Sequence, residues 1–146
     1  PADWDAVANV NLRAPALITG VVARTMKRHG YGRIVNVSSI WGHRVWEKRA
    51  TYASTKWGLR GLTAASAKDL AAHGILVNTV SPGFTDTALV RGNYSAEELA
   101  SVVNRIPLGR LARTDEIATA VLFLASRGNS YITGQSLVVD GGYGLG

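Results

Sequence analysis

The sequence predicts an α/β fold in which about three parallel strands are flanked by helices. Three short apolar runs rich in Val, Ile and Leu are bounded by glycine or polar residues, as buried strands are. Longer segments with helical apolar spacing separate these runs, and this alternation is typical of β-α-β units with a parallel sheet. A length of 146 residues, 47% of them hydrophobic, suits a single domain, here 1–146, with its own packed core.

The first predicted helix begins near Asp3 and ends at Gly30. Its apolar residues recur at helical spacing, so one face is expected to be buried. This predicted stripe consists of Val7, Val10, Ala14, Leu17, Ile18 and Val21. Asn11 falls inside the stripe, and a buried amide needs hydrogen-bond partners that a purely structural helix rarely provides. Pro15 has no N–H for the carbonyl four residues earlier, so the carbonyl oxygen of Asn11 is expected to be free.

The first predicted strand, from Arg33 to Ser38, is followed by Ser39 and by a loop from Ile40 to Thr51. Groups just beyond the carboxyl end of a strand in an open α/β sheet meet ligands in the crevice, and Ser39 has this position. In the loop, Trp41 and Trp46 suit the wall of a pocket for an apolar or aromatic substrate, although Trp is as often a core or interface residue. The loop is therefore the expected substrate edge of a site.

The next helix spans about Tyr52 to His73 and is capped by Gly74. Its many small residues would let another helix approach closely, which suits subunit packing. The run from Ile75 to Val80 then predicts a second buried strand and completes a β-α-β unit.

The second strand leads into Pro82-Gly83 and a polar stretch, with a capping-box pattern at Ser95 and Glu98. This stretch, about 84–105, predicts a loop and short helix that form either a lid over substrate or a mobile surface excursion. A helix from Thr114 to Ala125 and a third strand from Ser136 to Val139 complete the expected architecture.

Tyr52 and Lys56 stand four residues apart in a predicted helix, so their side chains emerge on one face, one turn apart. An unperturbed Tyr titrates near pH ~10, and a nearby positive charge favours its phenolate form. Tyr52 is therefore a candidate to donate or accept a proton. Taken alone, such a pair occurs by chance on many helix surfaces, but here Ser39 lies at a strand end shortly before it.

Several motifs in order carry a resemblance to a known family. They are Asn11-Leu12, Asn36-Val37-Ser38-Ser39, Tyr52-Ala53-Ser54-Thr55-Lys56, Pro82-Gly83-Phe84-Thr85-Asp86-Thr87 and Asp140-Gly141-Gly142. Over essentially all 146 residues the sequence resembles the classical short-chain dehydrogenases/reductases, with a likeness to their β-ketoacyl carrier-protein reductase branch. The resemblance implies the C-terminal portion of a doubly wound, Rossmann-type sheet. It also implies reversible hydride transfer between NAD or NADP and a carbonyl or alcohol.

The resemblance assigns roles to particular residues. Tyr52 is expected to act as general acid/base and Ser39 to hydrogen-bond the substrate oxygen. Lys56 is expected to lower the pKa of Tyr52 and to hold the nicotinamide ribose, and Asn11 to organise a proton-relay water. The residues expected to contact the cofactor are Tyr52, Lys56, Pro82, Gly83, Thr85 and Thr87. In the family, the helices matching those of Asn11 and Tyr52 pair across a dimer interface, so a dimer or tetramer is expected.

No glycine-rich phosphate turn of the G-x-x-x-G-x-G or G-x-G-x-x-G kind is present near the start of the sequence. A mononucleotide-binding half of on the order of 100 residues is therefore expected to be missing. The sequence is a fragment of a longer enzyme, is completed by a second chain, or comes from a truncated gene. The strand at Arg33 would then lack one neighbour, so the chain alone is expected to oligomerise, aggregate or rearrange.

Composition excludes several other classes of function. The net charge is +6, but the basic residues are scattered except for Arg44, Lys48 and Arg49, which have Glu47 among them, so a nucleic-acid interface is not expected. No run approaches the ~18 apolar residues of a membrane span and no leader is recognised, so a cytoplasmic protein is expected. The absence of cysteine excludes disulfides and thiolate metal sites. His29, His43 and His73 have no metal partner at ligand spacing and are expected at the surface.

Two alternatives to an oxidoreductase remain open. The small-residue helices could serve a non-redox scaffold for oligomerisation or partner binding. A cofactor-independent hydrolase is less supported, because no G-x-S-x-G elbow or base-paired Ser is visible. All four expected catalytic residues are present, which a scaffold does not require, and this favours the oxidoreductase.

Overall fold

Three parallel strands form one sheet in the computed structural model, which describes residues 2–145. The strands are β1 (Gly32–Val37), β2 (Ile75–Pro82) and β3 (Ser136–Val139), in the spatial order β1-β2-β3. Gly32 lies opposite Ile75 and Thr79 opposite Ser136, so the two ladders are offset along β2 and overlap at Thr79 and Val80. Most of β2 is fully buried, as expected for a central parallel strand. The predicted α/β architecture is confirmed.

Six α-helices are found in the described residues, together with shorter helical turns. The α-helices are α1 (Ala2–Ala8), α2 (Ala14–His29), α3 (Ala50–Leu70), α4 (Ala88–Asn93), α5 (Ala96–Asn104) and α6 (Thr114–Ala125). Three 3₁₀ turns lie at Ile40–Gly42, Ala71–His73 and Tyr143–Leu145. The predicted capping box is confirmed: Glu98 N–H donates to the Ser95 hydroxyl at 3.2 Å, and Ser95 N–H donates to the Glu98 carboxylate at 2.7 Å.

A π-helical turn at Asn9–Arg13 joins α1 to α2, and in it the N–H of Ala14 donates to the carbonyl of Asn9, five residues earlier. Pro15 explains why the helix departs from α-geometry here. Its ring occupies the place where an N–H would bond to the carbonyl of Asn11. The helix therefore changes its winding at the residue that the sequence singles out.

The predicted buried stripe of the first helix is wrong for most of its length. Val10, Leu17, Ile18 and Val21 are 60–71% exposed, whereas the buried positions of α2 are Thr19 and Ala23. The reason is the width of the sheet. Because β1 has a single neighbour, α2 rests on the edge of the sheet with one narrow face, and nothing in the described residues covers the apolar stripe.

The stretch Asp3–His29 is also long and apolar enough to cross a membrane by length and composition, contrary to the expectation that no such run exists. Core helices of soluble proteins and leader sequences meet the same requirement. No membrane assignment follows from it.

Two clusters of buried side chains hold the elements together. The first contains Ala23, Ala67, Leu70, Ile75 and Val77 and fixes α2 and α3 to the sheet. The second, called the aromatic cluster below, contains Trp41, Phe84 and Tyr143 with ring centroids 5.2–6.4 Å apart. It lies beyond the carboxyl ends of the strands, where the predicted site residues also lie.

Candidate active site

Ser39 lies two residues beyond the end of β1, with an extended backbone and 8% of its surface exposed. Its hydroxyl accepts a hydrogen bond from the N–H of Trp41 at 3.2 Å and so starts the turn Ile40–Gly42. The next turn residue, Gly42, packs against α3: a Cβ built there would lie 3.0 Å from the carbonyl oxygen of Lys56. The position of Ser39 is therefore set by a turn that docks closely on α3.

Tyr52 lies in the first turn of α3, half-buried, with its hydroxyl hydrogen-bonded to the Ser39 side chain. Burial raises the pKa of Tyr52 above its ordinary value of 10.0, while the Ser39 hydrogen bond and the positive charge of Arg49 oppose this rise. Burial outweighs these two effects, and the expectation that Lys56 lowers this pKa stays a prediction. Tyr52 is therefore held in its protonated form at neutral pH.

Lys56 is 9% exposed, one turn further along α3. Its Nζ lies 5.4 Å from the centre of the Tyr52 ring and donates to the carbonyl oxygen of Val37 at 3.1 Å. Burial lowers the pKa of Lys56. An ammonium has three N–H donors, and among residues 2–145 only Val37 accepts from this one, so two donors remain for another group.

Asn11, in the π-helical turn, is connected to Tyr52 through a side chain that the sequence analysis missed. The Asn11 amide donates to the Thr55 hydroxyl at 3.2 Å, and this hydroxyl donates to the carbonyl of Tyr52 at 2.8 Å. Asn11 is thus half-buried and has a partner, as a buried amide requires. Thr55 could have been recognised from its position on the same helix face as Tyr52 and Lys56.

A cavity of about 320 Å³, called the lid pocket below, opens beside Ser39 and Tyr52. Its lining residues are Ser39, Ile40, Trp41, Arg49, Tyr52, Gly83, Phe84, Leu89, Val90 and Asn93. The last three belong to α4, so part of the predicted lid covers the pocket. Trp41 lines the pocket and is also buried in the aromatic cluster, whereas Trp46 lies behind it, 48% exposed, with ring centroids 5.6 Å apart.

A second cavity of about 270 Å³, called the edge groove below, lies between the first helices and the free edge of β1. Asn11, Val37 and Lys56 are among its lining residues. Tyr52 and Lys56, one turn apart on α3, therefore border two different cavities. The pair separates the lid pocket from the edge groove.

Four of the residues expected to contact a cofactor, Pro82, Gly83, Thr85 and Thr87, lie at or after the end of β2. Pro82 ends the strand, and Gly83 lines the lid pocket while its N–H donates to the carbonyl of Val139 at 2.9 Å. The Thr85 hydroxyl donates to the carbonyl of Gly83 at 3.2 Å. The Thr87 hydroxyl accepts from the N–H of Val90 at 3.3 Å and caps α4. Both hydroxyls thus bond to the chain's own backbone, and their contact with a cofactor stays a prediction.

The expected surface position of His43 is wrong. Its Nε2 lies 3.1 Å from the Ser81 hydroxyl and 2.9 Å from the Ser136 hydroxyl, so it ties the end of the Ser39 turn to β2 and β3. Burial and the charge of Arg60 lower the pKa of His43, and Asp140 opposes them. No local pattern indicates these contacts. His29 and His73 are exposed, as predicted.

Within residues 2–145, no group of three or more His, Cys, Asp or Glu side chains is placed to hold a metal ion. The polar side chains beside the two cavities include the hydroxyls of Ser39 and Tyr52, the ammonium of Lys56 and the guanidinium of Arg49. Ser39 and Tyr52 can both hydrogen-bond one oxygen atom in the lid pocket.

Comparisons with known proteins agree with this arrangement. The family model described as enoyl-(acyl carrier protein) reductase matches residues 1–144. A 3-oxoacyl-(acyl-carrier-protein) reductase from Thermotoga maritima is 42% identical over 96% of this chain and 56% of the relative. A cis-4-hydroxycyclohexanecarboxylate dehydrogenase from Sinomonas cyclohexanicum is 44% identical over 97% of this chain and 57% of the relative.

Among solved structures, a gluconate 5-dehydrogenase from Burkholderia cenocepacia in complex with NADP and tartrate superimposes with a TM-score of 0.96 and 36% identity. The match covers 100% of this chain and 58% of that one. This chain therefore spans less than two thirds of the length of these relatives, all of which are oxidoreductases by name.

Proposed function

Because this chain belongs to the short-chain dehydrogenase/reductase family, we propose that it provides the substrate side of a nicotinamide-dependent oxidoreductase acting on a carbonyl or a secondary alcohol. The observation that supports this most directly is the pairing of the Ser39 and Tyr52 hydroxyls in one cavity. Lys56 lies one turn behind Tyr52, which is where an ammonium can support a proton donor. The arrangement matches reduction, since Tyr52 is held protonated.

In this proposal Tyr52 donates its proton to the substrate oxygen during reduction and takes it back during oxidation. The Ser39 hydroxyl hydrogen-bonds the same oxygen and fixes its position. Asn11 and Thr55 hold the Tyr52 backbone and organise a relay that returns a proton to the site. Trp41 and Phe84 exclude water from the apolar wall.

The residues present fit the nicotinamide end of NAD or NADP. Lys56 keeps two N–H donors that a ribose diol could accept, and Gly83 lines the same pocket as Tyr52. Once bound, the nicotinamide supplies or accepts the hydride. The sequence contains no glycine-rich turn for the pyrophosphate and no identified reader of the adenosine ribose, so the choice between NAD and NADP stays open.

A homo-oligomer, dimer or tetramer, is proposed with this function, through the helices that carry Asn11 and Tyr52. Its support is the exposed apolar stripe of α2, in which Leu17, Ile18 and Val21 are 60–61% exposed. The same exposed stripe favours the second candidate, a non-redox scaffold that binds a partner through these helices. A cytoplasmic location is part of the main proposal.

A cofactor titration decides between these candidates. The purified chain is titrated with NADPH and NADH while cofactor fluorescence is followed, and light scattering records the assembly state. Saturable binding that Lys56→Ala weakens, and turnover of a carbonyl panel that Tyr52→Phe abolishes, are the expected results. If the chain forms a folded, well-defined oligomer but binds neither cofactor at millimolar concentration, the oxidoreductase proposal is overturned and the scaffold function is favoured.

A further inference from the structure

Arg49 is the one charged side chain among the described residues that line the lid pocket. It lies immediately before α3 and is half-buried. Its Nη2 donates to the hydroxyl of Tyr94 at 3.2 Å. Within residues 2–145 no carboxylate lies within ion-pair distance of Arg49, whereas Arg91 and Arg110 each have one and Arg113 has two. The pocket thus contains a guanidinium whose charge is not balanced by the chain.

Arg49 lies close to the reacting hydroxyl. It precedes Tyr52 by three residues, and both side chains line the lid pocket. Its positive charge opposes the rise that burial causes in the pKa of Tyr52. One small substrate could therefore place its reacting oxygen at Tyr52 and a second polar group at Arg49.

The walls between these two groups are apolar. Trp41, Phe84, Leu89 and Val90 line the pocket, so its middle part suits a hydrocarbon skeleton. A guanidinium binds a carboxylate through two parallel hydrogen bonds, which adds both affinity and orientation. A neutral ester or thioester next to the ketone would leave Arg49 with Tyr94 as its partner and its charge unbalanced.

We propose that Arg49 binds the carboxylate of the substrate, so that the preferred substrates are small oxo acids or hydroxy acids with a short apolar skeleton. This inference rests on the proposed function, because it concerns the same pocket. It selects free acids over thioesters, and it gives Arg49 a role in specificity that differs from the proton transfer by Tyr52.

Calorimetric titration with matched probes tests this role without requiring turnover. The probes are 4-oxocyclohexanecarboxylate and its methyl ester, which differ in one negative charge. The full chain is expected to bind the acid roughly tenfold more tightly than the ester, the scale of a hydrogen-bonded charge pair. This ratio should fall with added salt. Equal binding of the two probes, or binding of neither, overturns the inference.

Variants separate anion binding from a structural role of Arg49. Arg49→Gln should bring the acid-to-ester ratio to about one, and Arg49→Lys should keep part of the preference. Tyr94→Phe removes the hydrogen bond to Arg49 but leaves its charge, so the preference should persist. Arg24→Gln, an exposed site on α2, is the surface control. Loss of the preference in Tyr94→Phe, or its survival in Arg49→Gln, overturns the assignment.

The proposed function is tested separately, by cofactor binding. Binding of NADPH or NADH is measured in the same Arg49→Gln protein and should be unchanged, because Arg49 is not among the residues expected to contact the cofactor and does not contact Lys56. If the chain prefers the acid but binds no cofactor, the oxidoreductase proposal is overturned and the anion site at Arg49 is supported. If the chain binds cofactor but binds acid and ester equally, the anion site is overturned and the oxidoreductase proposal is supported.

Discussion

The two cavities beside α3 differ in how completely this chain encloses them. The lid pocket is bordered by Tyr52, backed by the aromatic cluster and covered by α4. The edge groove is bordered by Lys56 and lies against a strand with one neighbour and a helix whose apolar stripe is exposed. The difference teaches that the described residues enclose the pocket beside Tyr52 on several sides, whereas they leave the groove beside Lys56 open along the edge of β1.

The largest expected effect comes from removing a wall of the enclosed side. Trp41→Ala deletes a buried ring from the aromatic cluster and should lower the free energy of unfolding by about 3–5 kcal/mol, since neighbouring rings cannot fill the cavity. Ile18→Ala, on the exposed stripe, should change it by less than about 0.5 kcal/mol. Urea unfolding followed by circular dichroism measures both. Similar losses in the two variants would mean that the stripe is covered in solution.

A smaller effect is expected where the Ser39 turn meets α3. In Gly42→Ala the new methyl would press on the backbone of Lys56 and should destabilise the fold by about 1–3 kcal/mol. Gly61→Ala on α3 is the control, because at Gly61 the added Cβ has no neighbouring atom within 4 Å. This control should stabilise the chain by about 0.5–1 kcal/mol, because alanine favours the helix. Thermal unfolding measures both variants. A gain of stability in both would contradict the close contact between Gly42 and α3.

A still smaller change in stability is expected from the hydrogen bond between Asn11 and Thr55. Asn11→Ala removes one donor to Thr55 and should cost about 1 kcal/mol, because Thr55 keeps its own bond to the Tyr52 carbonyl. Asn9→Ala changes an exposed amide in the same π-helical turn and should cost less. Equal effects in denaturant unfolding would show that the Asn11–Thr55 bond adds no stability beyond that of the turn.

The smallest effect is a change in the pKa of Tyr52, and it shows whether Arg49 or Lys56 has the larger influence on that pKa. Arg49→Gln should raise that pKa further, whereas Lys56→Met should change it less. Since the folded pKa lies above 10.0, the stability linked to Tyr52 is present below pH ~10 and is lost as pH rises through the folded pKa. Carbon-13 NMR of the tyrosine ring measures the titration. If the pKa of Tyr52 shifts more in Lys56→Met than in Arg49→Gln, Lys56 and not Arg49 has the larger influence on it.

Much of the fold could be predicted because its signals are local. The third strand has the predicted limits, Ser136–Val139, since an apolar run between polar residues is a local pattern. The spacing of Tyr52 and Lys56 on one helix face was equally local, and so was the capping box. By contrast, the predicted stripe of α2 was wrong because periodicity shows which residues share a face, not what covers that face.

Contacts between distant parts of the chain escaped prediction for a similar reason. His43 bonds to Ser81 and Ser136, which lie 38 and 93 residues away, and no pattern near His43 points to them. The direction of the Tyr52 pKa depends on burial by residues of other elements, so it could not be read from the spacing of Tyr52 and Lys56. Arg49 stands in a short basic group with Arg44 and Lys48, and nothing near it in the sequence indicates that it lines the lid pocket.

The aromatic cluster joins three rings that lie far apart along the chain, Trp41, Phe84 and Tyr143. Closing such long loops costs entropy before the ring contacts repay it, so the lid pocket should take shape late in folding. Tyr143 is the last of the three rings to be synthesised. A growing chain would therefore display Ser39, Tyr52 and Lys56 well before it could shield them from water. The order of synthesis itself would keep the site open until the cluster closes.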